Sequence, residues 1–149
     1  MKRPIRVSTA VSVLLLLNRL SLGLYFGFAG LGKVQAGVEK FYNGAFTAMK
    51  PLWLPDLLAK PYGYALPYLE LIFGFTLAIG LFGRISAGAV TFMLVSIMIA
   101  QLLADKFFSG PGPFHTNVIL LTIAVLLTYY GSGAFSLDGL INKRGRGRR

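Results

Sequence analysis

Apolar positions gather into four long runs, and what distinguishes the runs is how far polar residues intrude. The first, Ala10 to Leu31, is interrupted by strongly polar side chains only at Asn18 and Arg19. About 20 consecutive apolar residues suffice to cross a bilayer as a helix, so this run predicts a first span over about 10–31. Tyr62 to Gly83 predicts a second over 62–83, with Pro67 in its early turns and Glu70 deeper. After the tight connection Leu81-Phe82-Gly83-Arg84, a third follows over 85–104, apolar until Gln101 and closed by Asp105-Lys106. A fourth is predicted over 114–131, ended by Gly131-Ser132-Gly133.

The connection between the first two spans has a different period. Val38, Phe41, Tyr42, Ala45, Phe46 and Met49 recur every three or four residues, while Glu39, Lys40, Asn43 and Thr47 take the opposite side. That pattern predicts an amphipathic helix within the segment 37–60, lying on the membrane surface or packed on the mouth of the bundle. Pro51, Pro55 and Pro61 are expected to break regular structure before the second span. Ser109 to Pro113 predicts a turn, and Ser136 to Ile141 a short surface turn ahead of a basic tail over 142–149. The expected fold class is therefore all-α: one integral membrane domain over 1–149, a four-helix bundle with a short amphipathic interfacial helix between the first and second spans. Gly23 and Gly27 on the first span, and Gly74 and Ala78 on the second, have the four-residue spacing of small residues that lets helix backbones approach closely.

Composition agrees with this architecture. With 55% hydrophobic and 13% charged residues and a mean hydropathy of +0.66, the chain is too apolar for an ordinary soluble domain. Lys2, Arg3 and Arg6 ahead of an apolar core, with Ser21-Leu22-Gly23 behind it, imitate a secretory signal. Cleavage there would leave only Leu24 to Leu31, too short to span, and an uncleaved first helix is expected.

A net charge of +10 would suggest a nucleic-acid partner in a soluble protein, but here the basic residues flank the spans. Nine fall on the side of the termini (Lys2, Arg3, Arg6, Arg84, Lys143, Arg144, Arg146, Arg148, Arg149) and five on the other (Lys33, Lys40, Lys50, Lys60, Lys106). Both termini are expected in the cytoplasm, the tail drawn to anionic lipid, with no nucleic-acid partner. The chain has no cysteine, which excludes thiolate metal sites, disulfide exchange and iron–sulfur clusters as its own chemistry. A single histidine, His115, excludes a haem held between two histidines of this chain. No metal ligand set or dinucleotide-binding pattern is present, so no haem, flavin or metal is expected to be bound by this chain alone, and no self-contained catalytic centre is visible.

Two polar groups remain within or beside the spans. Arg19 and Glu70 carry opposite charge in the first and second spans, at depths of about 18 and 12 Å from the same membrane face by helix rise. Either they form an intramembrane ion pair that locks two helices, or they are a proton or substrate site. Lys33, Gln101, Asp105, His115 and Asn117 gather at the outer mouth. These side chains either cap helices and meet interfacial water or, under the mouth's aromatics, hold a quinone headgroup, whose carbonyls need donors and whose ring needs apolar walls.

Several stretches together resemble the DoxX family: Asn18-Arg19-Leu20 followed by Gly23-Leu24-Tyr25-Phe26 and Ala29-Gly30-Leu31-Gly32-Lys33; then Leu69-Glu70-Leu71-Ile72-Phe73-Gly74 through Gly80-Leu81-Phe82-Gly83-Arg84; finally Gly131-Ser132-Gly133-Ala134-Phe135-Ser136-Leu137-Asp138. The resemblance covers nearly the whole chain. It implies a four-helix protein of a bacterial-type inner membrane, whose namesakes are subunits of a quinone-linked thiosulfate oxidoreductase. Many members carry a carboxylate near the start of the last helix, where this chain has Val118.

Three functions follow as expectations. The first is an accessory or anchoring subunit of a membrane redox or bioenergetic complex, in contact with other membrane subunits and with quinone. The second is a small oligomeric transporter or permease using Arg19 and Glu70. The third, a thiol-redox maturation factor as in neighbouring DoxX-like families, loses its chemistry with the absence of cysteine.

Overall fold

A computed structural model of the chain describes residues 8–103 and 113–146, with side chains over 8–103 and 116–141. Helix α1 covers Thr9–Ala36. Ser8 caps it, its hydroxyl accepting from the Val11 N–H at 3.3 Å, and Gly37, at φ +100°, ends it. Two short helices follow, α2 (Val38–Phe41) and α3 (Thr47–Met49), joined without a break by a π-helical turn over Tyr42–Phe46. Residues 50–55, with Pro51 and Pro55, leave the helical conformation. Helix α4 runs over Asp56–Ile79 and ends at Gly80, which is left-handed at φ +74°. Helix α5 spans Gly83–Leu103, α6 Pro113–Tyr130 and α7 Leu137–Arg146.

Three of these helices, α1, α4 and α5, are long and apolar enough to cross a membrane, and α6 contributes a shorter apolar stretch, Thr116–Tyr130. Helix α1 packs along α4, α4 against α5, α5 against α6, and α1 again touches α6. Leu15, Leu22, Phe26, Leu66, Leu77, Val90, Met93, Leu94 and Leu127 fill the interior. Leu14, Leu17, Phe28, Ile72, Phe92, Ile119 and Val125 point outward and are exposed. An outer surface this apolar is the reverse of a water-soluble protein and suits lipid.

The small residues of α1 and α4 meet. A Cβ on Gly23 would overlap the backbone of Gly74 and Ala78, and one on Gly74 would overlap that of Gly27 and Phe26. The two helices thus touch backbone to backbone, close enough that only glycine fits.

Two expected boundaries are corrected. Helix α4 begins at Asp56, not at residue 62, so Pro61 and Pro67 both lie inside it. Pro61 sits in the second turn, early enough for the helix to start before it without losing more than the bond to Leu57. The expected turn from Ser136 to Ile141 is instead the start of α7. Within the segment 37–60, the rings of Tyr42 and Phe46 are buried on α4. Tyr42 stacks on Tyr64 at 4.8 Å between centroids, and the rings of Tyr42 and Phe46 crowd Gly63, where a Cβ would come within 2.8 Å of either.

Candidate functional site

The polar side chains singled out from the sequence fall into separate groups, and a cavity lies beside one of them. At the end of the molecule marked by Gly37, the Lys33 ammonium donates to both carboxylate oxygens of Glu70, at 2.7 and 2.6 Å. Glu70 is buried, and the Lys33 side chain retains 30% exposure. The ammonium also stands 4.8 Å from the centre of the Phe41 ring. Helix α1 brings Lys33 there because it continues past residue 31 for more than a turn, keeping the residue helical and over α4.

The expected Arg19–Glu70 pair is not formed. Arg19 is buried, but its guanidinium donates to the carbonyls of Ser132, at 2.9 Å, and Phe135, at 2.8 Å, while its Nε has no partner among the described residues. It lies against Gly80, which is ten residues, about 15 Å, along α4 from Glu70. Depths counted along each helix in isolation misplace it, because α4 ends and α5 begins at the level of Arg19 while α1 continues beyond. The guanidinium therefore meets helix ends and loops, where free carbonyls are available.

Around Arg19 the segment from Gly131 to Asp138 folds into a cap. Asp138 accepts from the N–H groups of Phe82, at 3.0 Å, and Gly83, at 2.9 Å, and from the Ser132 hydroxyl at 2.8 Å. It therefore caps the first amides of α5 from another helix. Burial raises the pKa of Asp138, and the hydrogen bonds from Gly83, Ser132 and Phe82, with the charge of Arg19, outweigh it, so the carboxyl lies below its ordinary value. In the sequence Ser132 and Asp138 belong to the stretch Gly131 to Asp138 that carries part of the DoxX resemblance, which does not by itself point to a cap. The available signal was their position in a glycine-rich stretch following an apolar run.

The residues expected at the mouth are only partly brought together. Gln101 is buried, takes a hydrogen bond from the Asn117 amide at 3.4 Å and points its own amide at the Met49 sulfur at 3.8 Å. Lys33 makes its hydrogen bonds with Glu70 and belongs to a separate group. Asp105 and the His115 side chain lie outside the described residues. Among the described residues no cluster of three or more histidine or acidic side chains could hold a metal.

Met49 also lines a cavity of about 340 Å³ between α3, the first half of α4 and the second half of α5. Phe46, Trp53, Leu54, Leu66, Phe92 and Ile97 are among its apolar walls. The lining residues with polar side chains are Lys50, whose ammonium is paired with Asp56, and Tyr62 and Ser96, whose hydroxyls bond to each other. Ser96 also donates to the Met93 carbonyl at 2.8 Å. Neither hydroxyl stands out in the sequence, since Ser96 is one of three hydroxyl residues, with Ser86 and Thr91, spread along the third span.

Residues 14–102 match the DoxX family model. The chain belongs to the DoxX family. Residues 59–147 also match a second model, described as TQO small subunit DoxD, so the two matches overlap from α4 through α5. No curated protein and no solved structure matches the chain. In DoxX terms, the two family matches between them take in Arg19, Lys33, Glu70, the cavity and the Asp138 cap.

Proposed function

We propose that this DoxX protein is a four-span accessory subunit of a quinone-linked membrane oxidoreductase and contacts the quinone through the cavity between α4 and α5. The family matches support a membrane subunit related to the small subunits of thiosulfate:quinone oxidoreductases. In this reading α6 is the fourth span, since 18 residues rise about 27 Å, close to the hydrocarbon thickness. Helices α2 and α3 lie at the membrane surface, both termini are cytoplasmic in a bacterial-type inner membrane, and other membrane subunits cover part of the outer face.

The cavity is the observation that carries the quinone contact. Its volume is in the range of small-molecule sites, its walls are apolar and aromatic, and two hydroxyls stand in them. A quinone ring would lie against Phe46 and Phe92, and the Tyr62 hydroxyl could turn from Ser96 to a ring carbonyl. The chain supplies binding and orientation, and the redox chemistry belongs to the quinone and to partner subunits. Purification in mild detergent from native membranes should recover both quinone and further membrane subunits with the chain. Recovery of the chain with neither would contradict the reading.

A further inference from the structure

Helix α7 is attached to the rest of the molecule by its polar edge. Asp138 is tied to the Phe82 and Gly83 amides, and the Asp138 N–H donates to the Gly80 carbonyl at 3.2 Å. Gly139 faces the Ala134 carbonyl and the Ser136 hydroxyl closely enough that a Cβ would overlap the carbonyl. With that edge turned inward, Leu137, Leu140 and Ile141 are turned outward and exposed, Leu140 to 57% and Ile141 to 60%. A helix on a protein bathed in water presents the opposite face. The apolar face continues into exposed Phe135 and, at the same end of the molecule, exposed Phe82 and Ile85. Tyr129 and Tyr130, exposed at the end of α6, add the aromatic residues that favour the headgroup level.

Charge decides what covers this face. The sequence from Lys143 onward holds five basic residues, Lys143, Arg144, Arg146, Arg148 and Arg149, and no acidic one. An apolar helix face followed directly by a cationic stretch is the pattern of a helix lying in an anionic lipid interface. We infer that α7 is an interfacial anchor, its Leu137, Leu140 and Ile141 face sunk among the acyl chains of an anionic bilayer, which the positive charge of the sequence from Lys143 onward favours. Asp138 fixes the depth and direction of this anchor, because its hydrogen bonds join α7 to the start of α5.

The absence of cysteine makes the test direct. The full chain with a single cysteine introduced at Leu140 (L140C) is spin-labelled and reconstituted into discs of phosphatidylcholine with or without phosphatidylglycerol. The label is expected to be reached by oxygen and shielded from a water-soluble nickel chelate. A second measurement compares the phosphatidylglycerol retained by the wild type and by a variant with Lys143, Arg144 and Arg146 changed to Gln, both taken from mixed bilayers. The preference for phosphatidylglycerol over phosphatidylcholine is expected to fall at least about fivefold in the variant. A label open to the nickel chelate in lipid discs would overturn the inference and assign this face to a protein partner. Equal lipid preference in the two chains would overturn the part played by charge.

Discussion

Lys33 and Glu70 form a two-pronged ion pair across the α1–α4 contact, with both carboxylate oxygens bound by one ammonium and only the lysine reaching solvent. The asymmetry in burial has an energetic consequence. Replacing Lys33 by Leu strands a buried carboxylate, whereas replacing Glu70 by Leu leaves an ammonium that can turn to water or headgroups. Lys33→Leu should therefore be the more damaging, by up to about 3 kcal/mol, and the double variant milder than the sum. Unfolding of the four chains in lipid-like detergent measures this. Arg19→Leu combined with Glu70→Leu should add to within about 0.5 kcal/mol, as for residues that do not touch.

Gly80 lies against the Arg19 guanidinium. At φ +74° any side chain is strained, and a Cβ would also overlap the guanidinium. Gly80→Ala should lower stability by about 1–2 kcal/mol from backbone strain alone, with the overlap adding to it. Gly32, which has open space around its Cβ position, supplies the control. Gly32→Ala should be neutral or slightly stabilising, and equal thermal shifts for the two variants would contradict this account of the turn.

Asp138 gives the cap a pH dependence whose sign is fixed. Its pKa is lower in the folded chain than in the unfolded one, so its contribution is fully present above the unfolded value and is lost as pH falls through the folded value. Asp138→Asn should lower the melting temperature at neutral pH and narrow its difference from wild type as the pH falls below the ordinary aspartate value of about 3.9. A difference that stays constant over that range would show that the carboxylate charge is not what holds the α4–α5 turn.

Much of this architecture was legible in the sequence, and the errors have a common physical cause. The apolar runs marked α1, α4, α5 and α6 because burial in lipid demands continuous hydrophobicity, and Gly23, Gly27 and Gly74 marked the α1–α4 contact because close backbones exclude side chains. The start of α4 was obscured by Pro61, since proline blocks a helix interior yet is tolerated in its early turns. Helix α7 was hidden by Gly139 and Gly145, poor helix formers, and is held by a tertiary contact, Asp138 on the α5 amides, that no local pattern displays. Arg19 was assigned to Glu70 because both charges stood in spans. Pairing depends on where neighbouring helices end, and this placed Arg19 among loop carbonyls and left Glu70 to Lys33.

The proposed orientation makes a separate prediction. A single cysteine at Asn43, exposed on the π-helical turn, should react with an impermeant maleimide in intact cells, and one at Gly145 should react only after lysis. The reverse pattern would invert the topology while leaving the fold unchanged.

The proposed quinone contact lies in the cavity bounded by Tyr62, Ser96 and Ala100. The most direct measurement is the quinone bound per chain after reconstitution in quinone-containing bilayers, for wild type, Tyr62→Phe, Ala100→Phe and the tail variant Arg148→Gln. The account predicts near-stoichiometric quinone for the wild type and Arg148→Gln, weaker retention for Tyr62→Phe, and loss in Ala100→Phe, whose ring fills the cavity, with melting temperature held. Quinone absent from the wild type, or retained undiminished by Ala100→Phe, would contradict it.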